Sequence, residues 1–162
     1  MTSPQTDVRQ VAPTLLNGVS VTPTIATGGQ PSPHDIEGLA RAGYRTILDL
    51  REPAEHRGFD EPGAVAGAGL RYINVAVGNH AHDDRLFEDI RALLRDSALA
   101  PILVHCATGN RVGFALLPWM VLDQHMSLDA AMEEATRMGL RSMALARIAI
   151  NYVARVRAGG KE

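Results

Sequence analysis

Short apolar runs alternate with longer amphipathic stretches along this chain, and clusters of Gly, Pro, Asp and Ser separate them. Thr46 to Leu50 and residues 101–105 are brief, largely aliphatic runs that read as buried strands, too short for helices. Pro101 fits the first residue of its strand, where a missing N–H is tolerated. Arg71 to Val77 alternates like a strand. Val19 to Ala26 alternates too, but Pro23 interrupts it, so it reads at best as an edge strand. Helical signals lie between these runs. Ser32, Pro33 and Asp35 form an N-cap, an N1 proline and a capping box, and Gly43 stops that helix after about Ala42. Leu86, Ile90, Leu93 and Leu94 carry a helical period across Asp84 to Asp96. An apolar stretch from Val112 to about His125 reads as a helix that Pro118 should kink. Ser127 caps another helix ending at Gly139, and Ser142 to about Arg157 forms the last. Residues 52–69 are rich in Gly, Pro, Ala and charge, with at most a short helix around Gly63 to Gly67. Strands that alternate with helices predict an α/β fold, a single domain with a largely parallel central sheet flanked by helices. It should occupy residues 19–157, with a flexible segment over 1–18 and a tail over 158–162. No internal repeat is evident.

Composition sharpens this picture in a few places. A chain of 162 residues, 46% hydrophobic, is long enough for one well-filled core, and 4% aromatic residues leave its packing to aliphatic side chains. A net charge of −2 gives no reason to expect a nucleic acid or an anionic membrane as partner. No apolar run reaches membrane-spanning length, and Met1 to Asn17 lacks the basic start and apolar stretch of a secretory signal. The single cysteine cannot form an internal disulfide or use a resolving partner in the same chain, which suits a reducing cytoplasm.

That cysteine is the most informative residue. Cys106 ends the 101–105 strand, and Ala107, Thr108, Gly109, Asn110 and Arg111 lead into the next helix. A strand-turn-helix passage aims backbone N–H groups and the positive end of the helix dipole at one point, which suits a reactive thiolate and an oxyanion. Arg111 is a cation in a first helical turn, where it opposes the dipole. A bound anion would account for it, and its guanidinium fork matches phosphate or thiosulfate. His105 points opposite to Cys106 on an alternating strand, so it reads as a hydrogen-bonded support and not as a proton carrier.

The run from His105 to Arg111 resembles the signature loop of cysteine-dependent phosphatases of the dual-specificity type. Those enzymes carry five residues between cysteine and arginine. Here there are four, a spacing similar to that of rhodanese-type sulfurtransferases and of a group of small bacterial phosphatase-like domains. Gly28 to Ser32, Ala42 to Arg51 and Gly139 to Ser142 also resemble that bacterial group, so the likeness covers roughly residues 20–155. It implies a phosphate-monoester hydrolase with a phosphocysteine intermediate and no cofactor or metal. Cys106 would be the nucleophile, residues 107–111 would bind phosphate, and His105 would help hold the loop and tune the cysteine. A general acid is expected from the loop after the preceding strand, where Asp83 and Asp84 are both candidates. Either would equally serve as the N-cap of the following helix. Val112 stands where many phosphatases carry a hydroxyl.

Two other readings stay open. A sulfurtransferase would carry a persulfide on Cys106 and take a sulfur donor in place of a phosphate ester. A catalytically weak anion-binding module would keep only the fold. His80, His82 and Asp84 have the spacing of a metal-hydrolase motif, but Arg85 follows where that motif continues with histidine. Arg51 either adds positive potential to the pocket or pairs with Glu55 and pins its loop.

Overall fold

The computed structural model describes residues 6–78 and 82–159. The elements run α1 (Val8–Val11), β1 (Val19–Thr22), β2 (Ile25–Gly28), α2 (Pro33–Arg41), β3 (Thr46–Asp49), α3 (Glu61–Gly67) and β4 (Arg71–Asn74). They continue with α4 (Asp84–Arg95), β5 (Ile102–His105), α5 (Asn110–Leu122), α6 (Leu128–Met138) and α7 (Met143–Ala158). The sheet order is β1-β2-β5-β3-β4. β1 is antiparallel to β2, and every other pairing is parallel. The α/β reading therefore holds. Gly28, His105 and Asp49 are in register, so β2, β5 and β3 end side by side, and the loops that follow them share one edge of the sheet.

Alternation along the strands divides the core in two. Ile102, Val104 and Cys106 face one side with Leu48, under α4, α5, α6 and α7; Leu103, Ile47 and Ala26 face the other, under α1, α2 and α3. Helix α5 is buried from Val112 to Leu122, which explains its continuous apolar sequence. No helix among the described residues is long and apolar enough to cross a membrane.

Several expectations need correction. Residues 19–26 form not one edge strand but parts of a hairpin: Thr22 Oγ1 accepts from the Ile25 amide at 3.0 Å, and β2 becomes an interior strand. The flexible segment expected over 1–18 packs on the domain from Val8, with α1 capped by Asp7 and with Val8, Ala12 and Leu15 buried. Residues 1–5 and 160–162, parts of the expected N-terminal segment and tail, lie outside the described residues. Helix α3 begins at Glu61, two residues before the expected Gly63, because the Asp60 side chain caps it and Pro62 preorganises its first turn. Helix α5 contains Pro118, as expected, and ends at Leu122, short of His125.

Candidate active site

The loop between β5 and α5 is shaped by what holds its carbonyls. Ala107 O accepts from the Gln30 amide at 3.0 Å, and Thr108 O accepts from Asn17 Nδ2 at 2.8 Å. Cys106 O lies 3.0 Å from His105 Nδ1. Asn110 Oδ1 accepts from the amides of Arg141 and Ser142 at 2.7 and 3.3 Å, which ties the loop to the segment between α6 and α7. With the carbonyls anchored behind the loop, its N–H groups face the concave side. The amides of Ala107 and Thr108 have no acceptor among the described residues, whereas the Gly109 amide donates to Cys106 Sγ at 3.0 Å. Gly109 sits at φ +103°, and a Cβ there would fall 1.9 Å from Met138 O, so only glycine makes this turn. The sulfur is almost fully buried and lies at the N-terminal end of α5, among donors suited to an anion.

Arg111 reaches the site from the first turn of α5. Its Nη1 and Nη2 grip the Glu55 carboxylate at 2.6 and 3.0 Å, and Nη1 also donates to Val77 O at 3.2 Å. This fork fixes the guanidinium plane and turns the group toward the Cys106 sulfur, with which it also interacts. The Arg111 hydrogen bonds hold Glu55 down at about 2, with smaller help from the Glu52 amide and Arg51. Arg111 is pushed up chiefly by Glu55, with a contribution from the nearby Cys106 sulfur. Arg51 makes the expected pair with Glu55, Nε to Oε1 at 3.0 Å, and its Nη1 donates to Gln30 Oε1 at 2.9 Å. Two arginines thus share one carboxylate, which leaves the rim net positive.

Behind the loop lies a buried polar cluster. His105 is on the α3 face of the sheet, opposite Cys106, and its Nε2 is 2.5 Å from Glu61 Oε2 and 3.8 Å from Asp49 Oδ1. Arg57 Nε donates to Asp49 Oδ2 at 2.9 Å and approaches Glu61 at 3.5 Å. Tyr72 donates its hydroxyl to Asp49 at 2.6 Å, and burial, reinforced by Asp49, pushes its titration up. Gln30 Nε2 donates to Glu61 Oε1 at 2.7 Å. Ligand atoms of Asp49, Glu61 and His105 lie within 4.8 Å of one another, yet Arg57 already supplies the cation between the two carboxylates. The trio does not fit a metal.

Of the two candidate acids, Asp84 Oδ1 is 2.5 Å from Arg155 Nη2 on α7. Asp83 stands at the N-cap of α4 but makes no side-chain capping bond, and it is exposed. The His82 ring packs on Phe114 at 4.9 Å between centroids. His80, the first residue of the metal-like spacing, lies outside the described residues. The sequence linked Glu55 to Arg51 alone, gave Gln30 and Asp49 no role beyond the runs that carry the resemblance, and did not point to Glu61, Arg57 or Asn17. One signal was available for Glu61: Asp60 followed by Glu61 and Pro62 is a helix start.

A family model described as "PTP-NADK: DSP-PTPase phosphatase fused to NAD+ Kinase" matches residues 17–151. The chain is 32% identical over 117 residues to a beta-lactamase hydrolase-like protein of Xylella fastidiosa (strain Temecula1), covering 68% of this chain and 26% of that protein. It thus spans about a quarter of the length of the curated relatives it matches. Among solved structures, a putative phosphatase (DUF442) of Shewanella putrefaciens CN-32 superposes with a TM-score of 0.76 at 17% identity, over 91% of this chain and 97% of that one. The core catalytic domain of the PP-IP phosphatase SIW14 of S. cerevisiae, in complex with citrate, gives 0.74 at 20% identity, over 90% and 94%.

Proposed function

The chain belongs to the PTP-NADK family of dual-specificity-type phosphatase domains, and from that membership we propose a cysteine phosphatase that hydrolyses phosphate monoesters through a phosphocysteine. The observation that carries this reading is the loop itself. Cys106 Sγ accepts from the Gly109 amide at 3.0 Å, at the mouth of a turn whose carbonyls are tied behind it, while Glu55 holds Arg111 alongside. In the first step the Cys106 thiolate attacks phosphorus. A P–S bond forms as the P–O bond to the leaving group breaks. Loop amides and Arg111 stabilise the equatorial oxygens as charge builds on them. A carboxylic acid protonates the leaving oxygen, then as carboxylate takes a proton from the water that attacks phosphorus. The P–S bond breaks, inorganic phosphate leaves, and the thiolate returns.

We assign the acid to Asp83. Asp84 is held by Arg155 on the α7 side, whereas the Asp83 carboxylate is exposed and makes no capping bond. A cytoplasmic setting belongs to this reading and is supported by the lone, unpaired cysteine. Sulfur transfer through a Cys106 persulfide is the second reading, supported by the four-residue spacing to Arg111 and the apolar Val112 after it. It needs no acid.

The test is turnover of p-nitrophenyl phosphate without added metal, compared with Cys106→Ser. Turnover that disappears in the variant is expected. Turnover that survives would remove Cys106 from the mechanism. An inactive native protein whose mass rises by one sulfur after thiosulfate treatment would favour the second reading.

A further inference from the structure

His105 and Glu61 are both fully buried, and the histidine ring is contacted at each nitrogen. Nδ1 is 3.0 Å from Cys106 O, and a carbonyl only accepts, so Nδ1 carries a proton. Nε2 is 2.5 Å from Glu61 Oε2, a contact that requires another proton between the two atoms. The pair therefore holds two protons. The surrounding charges explain why. Two buried carboxylates, Asp49 from β3 and Glu61 from α3, face one guanidinium, that of Arg57. Around the two carboxylates, Tyr72 from β4 donates to Asp49, and Gln30 after β2 donates to Glu61. Asp49 Oδ1 is taken by the Arg51 amide at 2.9 Å. Arg51 and Arg111 outside the cluster are shared by Glu55. With the shared proton on the ring, His105 is positive and neutralises the second buried carboxylate; with it on Glu61, neither member of the pair is charged.

We propose that Glu61 is a positioning residue for the nucleophile: it keeps His105 doubly protonated, and so keeps a positive charge one peptide unit behind Cys106 that favours the thiolate. The inference rests on the reading of Cys106 as nucleophile. Glu61 acts only through the ring and touches no substrate.

The experiment is the rate of Cys106 alkylation by iodoacetamide, followed by intact mass between about pH 5 and pH 9, a range that brackets thiol ionisation. Glu61→Gln removes the negative charge that favours the second proton on the ring, with little change in shape. Near pH 6 it should slow alkylation about tenfold, and the two proteins should converge near pH 9, where the thiol ionises without help. In a His105→Asn background the same substitution should change the rate by less than about twofold, because the intermediary is gone. Glu61→Asp should restore part of the loss. Near-ultraviolet dichroism of the buried Trp119 reports folding. Should Glu61→Gln not fold, Glu61→Asp gives the same test, with a smaller slowing confined to low pH.

The proposal is overturned by an unchanged rate, by slowing that is equal at every pH, or by an undiminished effect in the His105→Asn background. Alkylation does not depend on turnover. Native protein that alkylates as expected but leaves p-nitrophenyl phosphate untouched would sink the phosphatase reading alone. An active enzyme insensitive to Glu61→Gln would sink only this inference.

Discussion

Replacing Glu55 by glutamine tests whether Arg111 works because it is held. The carboxylate accepts from both terminal nitrogens of Arg111, at 2.6 and 3.0 Å, and from Arg51 Nε at 3.0 Å. Glutamine keeps the size and one acceptor oxygen, but its NH2 group would face a guanidinium that can only donate. At least one charge-assisted bond is lost, worth about 1.5–3 kcal/mol. The side chains of Arg111 and Glu55 are 17% and 25% exposed, so water weakens the pair modestly and argues for the lower part of that range. About 2 kcal/mol less transition-state stabilisation corresponds to roughly thirtyfold in kcat/KM. Steady-state hydrolysis of p-nitrophenyl phosphate by Glu55→Gln, with thermal unfolding in parallel, measures it. A kcat/KM within twofold of native, at unchanged Tm, would refute the idea that the fork positions Arg111. The same pair predicts a pH effect. Glu55 moves from its ordinary 4.5 down to about 2 because Arg111 donates to it. Its folded-state value is depressed, so its contribution to stability is complete above 4.5 and fades as pH falls toward 2. Acid unfolding of Glu55→Gln should therefore be less steep across that window. Equal slopes for the two proteins would contradict this.

The acid assignment predicts that Asp83→Asn lowers kcat for phenyl phosphate, whose leaving group needs a proton, by about a hundredfold, within the usual range for general acids. Asp84→Asn should stay near native, since that carboxylate is engaged by Arg155; the opposite ranking would exchange the two roles, and two inert variants would remove the acid step. Gly109→Ala should lower Tm and abolish turnover. Its Cβ would fall 1.9 Å from Met138 O at φ +103°, and the backbone strain alone is worth about 1–3 kcal/mol. A native-like Tm would show that the turn can move without harm.

The sequence by itself determined what depends on neighbours along the chain. Ser32 and Asp35 form a capping box in the structure as their spacing predicts, and Ser127 and Ser142 cap α6 and α7. The strand-turn-helix around Cys106 was legible because an apolar run, a glycine and a following helix suffice to describe it locally. Even there the hairpin at Thr22 to Ile25 escaped, since a lone proline does not say whether an alternating run is broken or turned. Tertiary structure decided the rest, because the partners lie far apart in the chain. Glu55 and Arg111 are 56 residues apart, Glu61 and His105 44, and Asn17 and Thr108 91. Asp83 and Asp84 are indistinguishable in sequence. They differ in space because Arg155, 71 residues beyond Asp84, reaches one of them from α7. Caps and strand alternation are short-range properties of the backbone. The orientation of Arg111 and the pairing of His105 with Glu61 depend instead on groups that only the folded sheet brings together.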